Sequence, residues 1–235
     1  LINNKTILAI IPARKNSKRL PNKNCKIFHG KPLILWTIEY AKKSRFIDNI
    51  IVTTDDPKII NIAKNENIEY LIRPEELATD RAKTTDVVLD LLFKIPSLPD
   101  YIILLQPTSP LRDNIHIDGA IEYLNNKNAD AVISVCENEH NPLWSNILPE
   151  DLSLINFLNP DIKNKRSQDL PKYYRLNGAI YICKTSSFIE VKTFFLSSNI
   201  YAFVMDKYSS VDIDDQFDFY FAEFIYDKIK NGKEF

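Results

Sequence analysis

Short, continuous apolar runs alternate with helical patterns through the first two thirds of the chain, and this rhythm narrows the possible folds sharply. Thr6 to Ile11 (TILAII) is unbroken by polar residues after its first position, the pattern of a strand covered on both faces. Asn49 to Thr54, Ile68 to Ile72, Tyr101 to Gln106 and Ala131 to Cys136 are further strands. Helical patterns separate them. Pro32 opens one that reaches about Lys43, and Pro57 opens another through about Asn65, proline being tolerated at the first helical position. Thr84, Thr85 and Asp86 are capping residues before a helix from Val87 to Lys94, and Ile115 to Asn125 forms the next. A βαβαβ order of this kind predicts an α/β fold with a doubly wound, mostly parallel sheet and right-handed crossovers.

The rhythm breaks after Glu137. Residues 138–172 are polar, interrupted by prolines and weakly periodic. A structureless loop of that length is unusual in a compact domain, so an inserted subdomain or interface arm is expected there. Gly178 to Cys183 restores a strand, Tyr201 to Met205 gives another, and Phe217 to Lys230 reads as an amphipathic helix. The division is therefore one α/β unit from 1–137 and 173–235, carrying the insertion 138–172. The 235 residues suffice for such a unit.

Charge limits the ligands. The net charge of −1 argues against non-specific binding to nucleic acid. Yet Arg14, Lys15, Lys18, Arg19, Lys23 and Lys26 fall in one stretch with no acidic residue among them. A basic island in a neutral chain suits a small polyanion. Cys25, Cys136 and Cys183 lack metal-ligand or redox spacing, and His29, His116 and His140 form no zinc signature. Unpaired thiols, the absence of a membrane-spanning run and an opening segment (Leu1 to Lys5) unlike a secretion signal lead to a cytoplasmic expectation.

The chemistry concentrates where strands end. Ile10 to Asn24 (IIPARKNSKRLPNKN) is a buried strand followed by a cationic loop, at the sheet edge where open α/β folds bind ligands. Arg14, Lys18 and Lys23 could converge on phosphates, with Ser17 and loop amides as neutral donors. The competing reading is a solvated basic loop. With only four glycines, and no Walker or dinucleotide pattern, a P-loop kinase or NAD enzyme is disfavoured. Asp212 and Asp214 are two apart, which in a strand puts both carboxylates on one face and suits a hard divalent cation. A chance surface pair is the alternative, and Asp214 or Asp215 could instead cap the following helix. Arg73 reads equally as a surface ion-pair partner of Glu75 or Glu76, and Pro107 to Pro110 as a turn.

The segment Ile11 to Asn24 resembles the amino-terminal signature of the CMP-N-acylneuraminate cytidylyltransferases (CMP-sialic acid synthetases), approximately I-P-A-R-x-x-S-K-x-x-P-x-K-N. RPEELATD at Arg73 to Asp80, LQPTSPLR at Leu105 to Arg112, NGAIYI at Asn177 to Ile182 and SVDID at Ser210 to Asp214 match in the family's order. The likeness covers nearly the whole chain. The Kdo-activating sister family typically has S-x-R-L-P-G-K-P, and the run Ser17 to Asn24 stands closer to the sialic-acid branch.

What the resemblance implies is a Rossmann-like nucleotide-diphospho-sugar transferase fold. It also implies a reaction in which the anomeric hydroxyl of a nine-carbon 2-keto sugar acid attacks the α-phosphorus of CTP. By similarity Arg14 and Lys18 hold the β- and γ-phosphates, Lys23 the α-phosphate, and Asn24 the ribose or base. Arg73, Ala82 and Thr84 surround the cytosine. Gln106, Thr108, Ser109 and Asn177 face the sugar, and Asp212 and Asp214 hold Mg²⁺, with Mn²⁺ as a substitute. Arg14, Lys23 and Asp214 are the residues expected to carry catalysis. Family members commonly show R-Q-x-L-P, whereas Arg166-Ser167-Gln168-Asp169-Leu170-Pro171 carries its Arg one position earlier. The sugar carboxylate thus falls to Arg166 with Gln168, or to Arg175. The family's equivalent of 138–172 is a dimerisation arm, which implies a homodimer with shared sites, binding neither nucleic acid nor membrane. An enzyme acting on Kdo or another acidic sugar, a D-x-D glycosyltransferase and a non-catalytic nucleotide sensor remain as other readings.

Overall fold

A computed structural model describes residues 2–232. Leu1 of the opening segment and residues 233–235 of the expected α/β unit lie outside the described residues.

The chain opens with β1 (Ile7–Pro12), followed by a basic loop and a small hairpin of β2 (Ile27–Phe28) and β3 (Lys31–Pro32). His29 and Gly30 at its tip both have positive φ, +43° and +84°, which gives the tight turn a twist matching its strands. Helix α1 (Leu33–Lys43), β4 (Asn49–Thr54), α2 (Pro57–Asn65) and β5 (Glu69–Ile72) come next. Then follow α3 (Thr84–Lys94), β6 (Tyr101–Leu105), α4 (Asn114–Asn126) and β7 (Ala131–Glu137). After the insertion come β8 (Tyr174–Lys184), α5 (Thr185–Val191), β9 (Ile200–Val204) and α6 (Gln216–Lys230).

The main sheet has the order β5-β4-β1-β6-β8-β7-β9. It is mixed: β1 pairs in parallel with β4 and β6, β4 with β5, and β7 with β9, while β8 runs antiparallel to both β6 and β7. The expected mostly parallel sheet is thus present, with the GAIYIC segment as its reversed strand. Alternation along β1 explains why its sequence is apolar throughout. Ile7, Ala9 and Ile11 pack with residues of α1, α2 and α4 on one face, and Leu8 and Ile10 with those of α3 and α5 on the other.

Local chemistry sets the helix ends. Asp56 accepts from Lys58 N at the start of α2, where Pro57 sits at the first turn. Asp113 caps α4 by accepting from Ile115 N and His116 N, and Asp215 makes a capping box on α6, so Asp215 is the cap and Asp214 is left for other work. The expected capping by Thr84, Thr85 and Asp86 fails: all three lie inside α3, whose preceding residue Lys83 makes no side-chain cap. Short α5 followed no strong sequence pattern. Residues 138–172 contain no α-helix or strand, only turns and the 3₁₀ segments Pro142–Trp144 and Ser167–Asp169, and they expose Ile147, Leu148, Leu152, Leu154 and Ile155.

His116, in the first turn of α4, ties this helix to the loop after β9. Its Nδ1 lies 2.6 Å from Asp113 Oδ1 and its Nε2 3.6 Å from Asp206 Oδ2. Burial pulls the imidazole pKa down, but the hydrogen bond and charge of Asp113, with Asp206, outweigh it and hold the pKa above its ordinary value. A raised folded-state value means the stabilisation is complete below about pH 6.5 and fades as pH rises through that value. Wild type should therefore lose more unfolding free energy than His116→Asn between pH 6 and pH 8.5 in urea titrations. Equal losses would show that the two carboxylates do not hold the charged ring.

Candidate active site

Three apolar residues set the geometry of the site. Leu20 in the basic loop and Val211 and Ile213 in the segment before α6 join one satellite core with Phe28, Leu33, Trp36 and Phe219. Burying Val211 and Ile213 turns the intervening Asp212 and Asp214 away from that core. The segment belongs to no strand, which corrects the expected strand setting, while its burial still alternates with a period of two. Ile213 N donates to Thr108 O at 2.8 Å, so the aspartates are pinned beside the end of β6.

A cleft of about 470 Å³ opens at the carboxyl ends of β1 and β6. Its walls bring together Arg14, Ser17, Lys18, Lys23, Asn24, Arg73, Ala82, Thr84, Gln106, Thr108 and Asp214. The size is in the range of small-molecule sites. Lys23 sits in a 3₁₀ turn after Asn22, whose left-handed backbone (φ +55°) an asparagine tolerates. Its ammonium donates to Ile213 O at 2.7 Å and to Asp214 Oδ1 at 3.3 Å. Asn24 is buried and donates to Arg14 O at 3.1 Å, fixing the loop backbone.

Arg73 is buried and donates to Thr53 O at 3.0 Å, while its Nε has no partner among the described residues. Burial pushes its pKa down to about 10; Asp55 opposes this and Arg14 adds to it. Arg73 lines the cleft as a buried guanidinium whose hydrogen-bonding capacity is not fully used. The alternative of a surface pair with Glu75 or Glu76 does not occur.

Asp212 lies just behind the cleft. Its Oδ1 is buried without a well-aligned hydrogen-bond partner, and Thr108 Oγ1 is in the same condition. Burial raises the Asp212 pKa, the Thr108 hydroxyl and Lys23 oppose this, and Asp214 and Asp218 add to it. Gly178, at φ +74°, lies so close that a Cβ there would stand 3.4 Å from Asp212 Oδ2. A carboxylate with one orphaned oxygen and the other against a glycine, next but one in sequence to a second carboxylate, fits a hard divalent cation. No group of three or more potential metal-ligating His, Cys, Asp or Glu side chains gathers among the described residues. A site of one or two carboxylates completed by substrate phosphates is the usual arrangement for Mg²⁺.

The remaining expected sugar residues stand apart from the cleft. Ser109 is fully buried, its hydroxyl unpartnered among the described residues. Asn177 is 1 % exposed and saturated: its Nδ2 donates to Ser210 Oγ at 2.9 Å, and its Oδ1 accepts from Ala179 N and faces Ser134 Oγ at 2.6 Å. It braces an irregularity in the pairing of β7 with β8, and direct contact with a sugar would require those bonds to open. Arg175 pairs with Glu139 at 3.0 Å, and that hydrogen bond, with smaller help from the Asp212 charge, holds its pKa above the ordinary value. Arg166 pairs with Asp169 within the insertion, and Gln168 lines a separate concavity beside Glu137 and Tyr173. Sequence reasoning missed Arg19, which pairs with Asp214 Oδ2 at 2.7 Å, and Asp80, which takes both Arg14 and Lys18 at 2.7 Å. Only the place of Asp80 at the end of the RPEELATD run, two positions before Ala82, hinted at the latter.

Solved structures share this fold. A structure of CMP:2-keto-3-deoxy-manno-octonic acid synthetase complexed with CTP superposes with a TM-score of 0.71 at 16 % identity, covering 95 % of this chain and 99 % of that one. The 4-diphosphocytidyl-2C-methyl-D-erythritol synthase of Anaerococcus prevotii gives 0.68 at 17 % identity, covering 96 % and 98 %. At such identities only the fold is shared. Sequence goes further: the chain belongs to the cytidylyltransferase family, whose sequence model matches residues 8–223. It is 39 % identical over 229 residues to an N-acylneuraminate cytidylyltransferase of Escherichia coli O18:K1:H7, covering 97 % of this chain but 54 % of that protein. The chain thus spans about half the length of that relative. It is 36 % identical to a CMP-N,N'-diacetyllegionaminic acid synthase of Legionella pneumophila, covering 92 % of this chain and 94 % of that one. Among the described residues no helix is long and apolar enough to cross a membrane, and all three cysteines are free.

Proposed function

We propose that the chain couples CTP to a sialic acid or a related nonulosonic acid, releasing pyrophosphate and forming the CMP-sugar. The observation that carries this reading is the convergence in one cleft of Arg14, Lys18 and Lys23 with Arg73, Ala82, Thr84 and Asp214. Displacement at the α-phosphorus needs positioning and charge neutralisation more than a protein nucleophile. Arg14 and Lys18 bind the β- and γ-phosphates, and Lys23 neutralises charge at the α-phosphate as the pyrophosphate bond breaks. Asn24 shapes the loop on which these cations ride. Arg73, with backbone of Ala82 and Thr84, reads the cytosine edge; a base lacking the matching groups leaves the donors of this wall unpaired and is rejected.

Asp212 and Asp214 would hold Mg²⁺, which supplies Lewis-acid neutralisation of phosphate charge. Gln106 and Thr108, at the exit of β6, orient the sugar acid, whose carboxylate is met by Arg175 once Glu139 lets go. The insertion 138–172 docks on a second copy through Ile147, Leu148, Leu152, Leu154 and Ile155, giving a homodimer in which Arg166 and Gln168 reach toward the neighbouring cleft. An apolar group exposed this way on an irregular segment is otherwise a liability.

The test is pyrophosphate release from CTP and Mg²⁺ with N-acetylneuraminic, legionaminic, pseudaminic and Kdo acids in parallel. Release with a nine-carbon acid, stopped by EDTA and by Asp214→Asn, is the expected result. Release only with Kdo would reassign the substrate. Silence from folded protein that binds CTP would point to a sensor.

A further inference from the structure

Asp80 bridges the two walls of the cleft. It stands on the loop between the 3₁₀ turn Glu75–Leu77 and α3, while its partners belong to the basic loop after β1. Asp80 Oδ1 lies 2.7 Å from Arg14 Nη1 and Asp80 Oδ2 2.7 Å from Lys18 Nζ, so each carboxylate oxygen takes one cation. These are the two cations that the proposed function gives to the β- and γ-phosphates. A carboxylate shared between an arginine fork and an ammonium presents the same geometry and charge sign as a phosphate edge.

The surrounding charges explain why such a carboxylate is useful. Arg14, Lys18, Arg19, Lys23 and Arg73 line one cleft, and Asp80 and Asp214 are the acidic side chains among its lining residues. Without a counter-anion, Arg14 and Lys18 would repel each other and their neighbours, and their long side chains would scatter. Asp80 holds them at the cleft wall. Because its own side chain is one-third exposed, water can take it over when a stronger anion arrives.

We infer that Asp80 is a positioning residue that keeps Arg14 and Lys18 in register as a phosphate surrogate, and that it is exchanged for the terminal phosphates when a triphosphate binds. The inference rests on the proposed function, since it takes the polyphosphate as ligand. Two consequences follow from anion exchange. Binding of the β- and γ-phosphates is weakened by the competition with Asp80, and re-formation of the Asp80 pairs helps pyrophosphate to leave.

Calorimetric titrations of wild type, Asp80→Asn and Asp80→Ala with inorganic pyrophosphate, CMP and CTP, all in EDTA, test the inference. Removing the competitor should tighten pyrophosphate about three- to tenfold, as expected from losing two exposed ion pairs, and leave CMP unchanged. Unchanged thermal melting would show that the variants are folded. Pyrophosphate affinity that is unchanged or weaker in both variants would overturn the inference. So would a parallel change in CMP affinity, which would mean that Asp80 only braces the loop. Wild type that binds neither CTP nor pyrophosphate would instead remove the proposed function itself, an outcome distinct from variants that bind both without gain.

Discussion

Lys23→Met is expected to slow CMP-sugar formation by roughly 10²–10³-fold, the loss seen when a preorganised donor to developing charge is removed. The ammonium lies at the junction of the basic loop and the Val211 to Asp214 segment, donating to Ile213 O at 2.7 Å and Asp214 Oδ1 at 3.3 Å. It is already held where the α-phosphate charge would be neutralised, so little reorganisation accompanies reaction. Methionine keeps the aliphatic packing of the stem and removes only the charge and its hydrogen bonds. The effect should fall on kcat more than on CTP affinity, because Arg14 and Lys18 retain the terminal phosphates. Steady-state kinetics with the preferred acid reads this directly. A loss below tenfold would show that Lys23 only tethers Asp214.

The largest expected effect on stability comes from Arg112→Met. Arg112 has no exposed surface, and its guanidinium donates to Ala179 O at 2.9 Å, Thr37 Oγ1 at 2.8 Å and Gln106 O at 3.3 Å. Burial pushes its pKa down to about 9 against small opposing contributions from Tyr40 and Asp113. Deleting it takes a donor from Ala179 O and Thr37 Oγ1, at ~1–3 kcal/mol for each buried group left unsatisfied, while Gln106 O keeps Ser109 N and Thr37 Oγ1. The anticipated loss is about 3–5 kcal/mol in urea unfolding, together with a raised KM for the acid, because Gln106 lines the cleft. A change below about 1 kcal/mol would mean that water takes over these bonds.

The parts of the fold that follow from local chemistry were legible. Strands β1, β4 and β6 are apolar because helices cover both faces, and continuous apolar runs announce that condition. The reversal of β8 was hidden, since a strand buried on both sides reads alike in either direction. The start of α3 was misplaced because Thr84 and Thr85 have capping side chains, yet tertiary packing carried the helix back over them. In the site, Arg14, Lys18 and Lys23 could be found from their place after a buried strand. Asp80 could not: it pairs with residues more than sixty positions away, and nothing local in RPEELATD reveals which cation it meets. Asn177 shows the converse. Its motif drew attention, but its side chain is consumed by Ser134, Ala179 and Ser210 inside the fold.

Nucleotidyl transfer is defined by attack at the α-phosphorus. CTP labelled with ³²P at the α-position, incubated with the protein, Mg²⁺ and a nine-carbon 2-keto acid, should yield label in an acid-labile CMP-sugar, matched by unlabelled pyrophosphate. If the acid instead takes up label only from γ-³²P CTP, or if α-label stays wholly in CTP with every acid while the protein binds it, nucleotidyl transfer is not what this cleft performs.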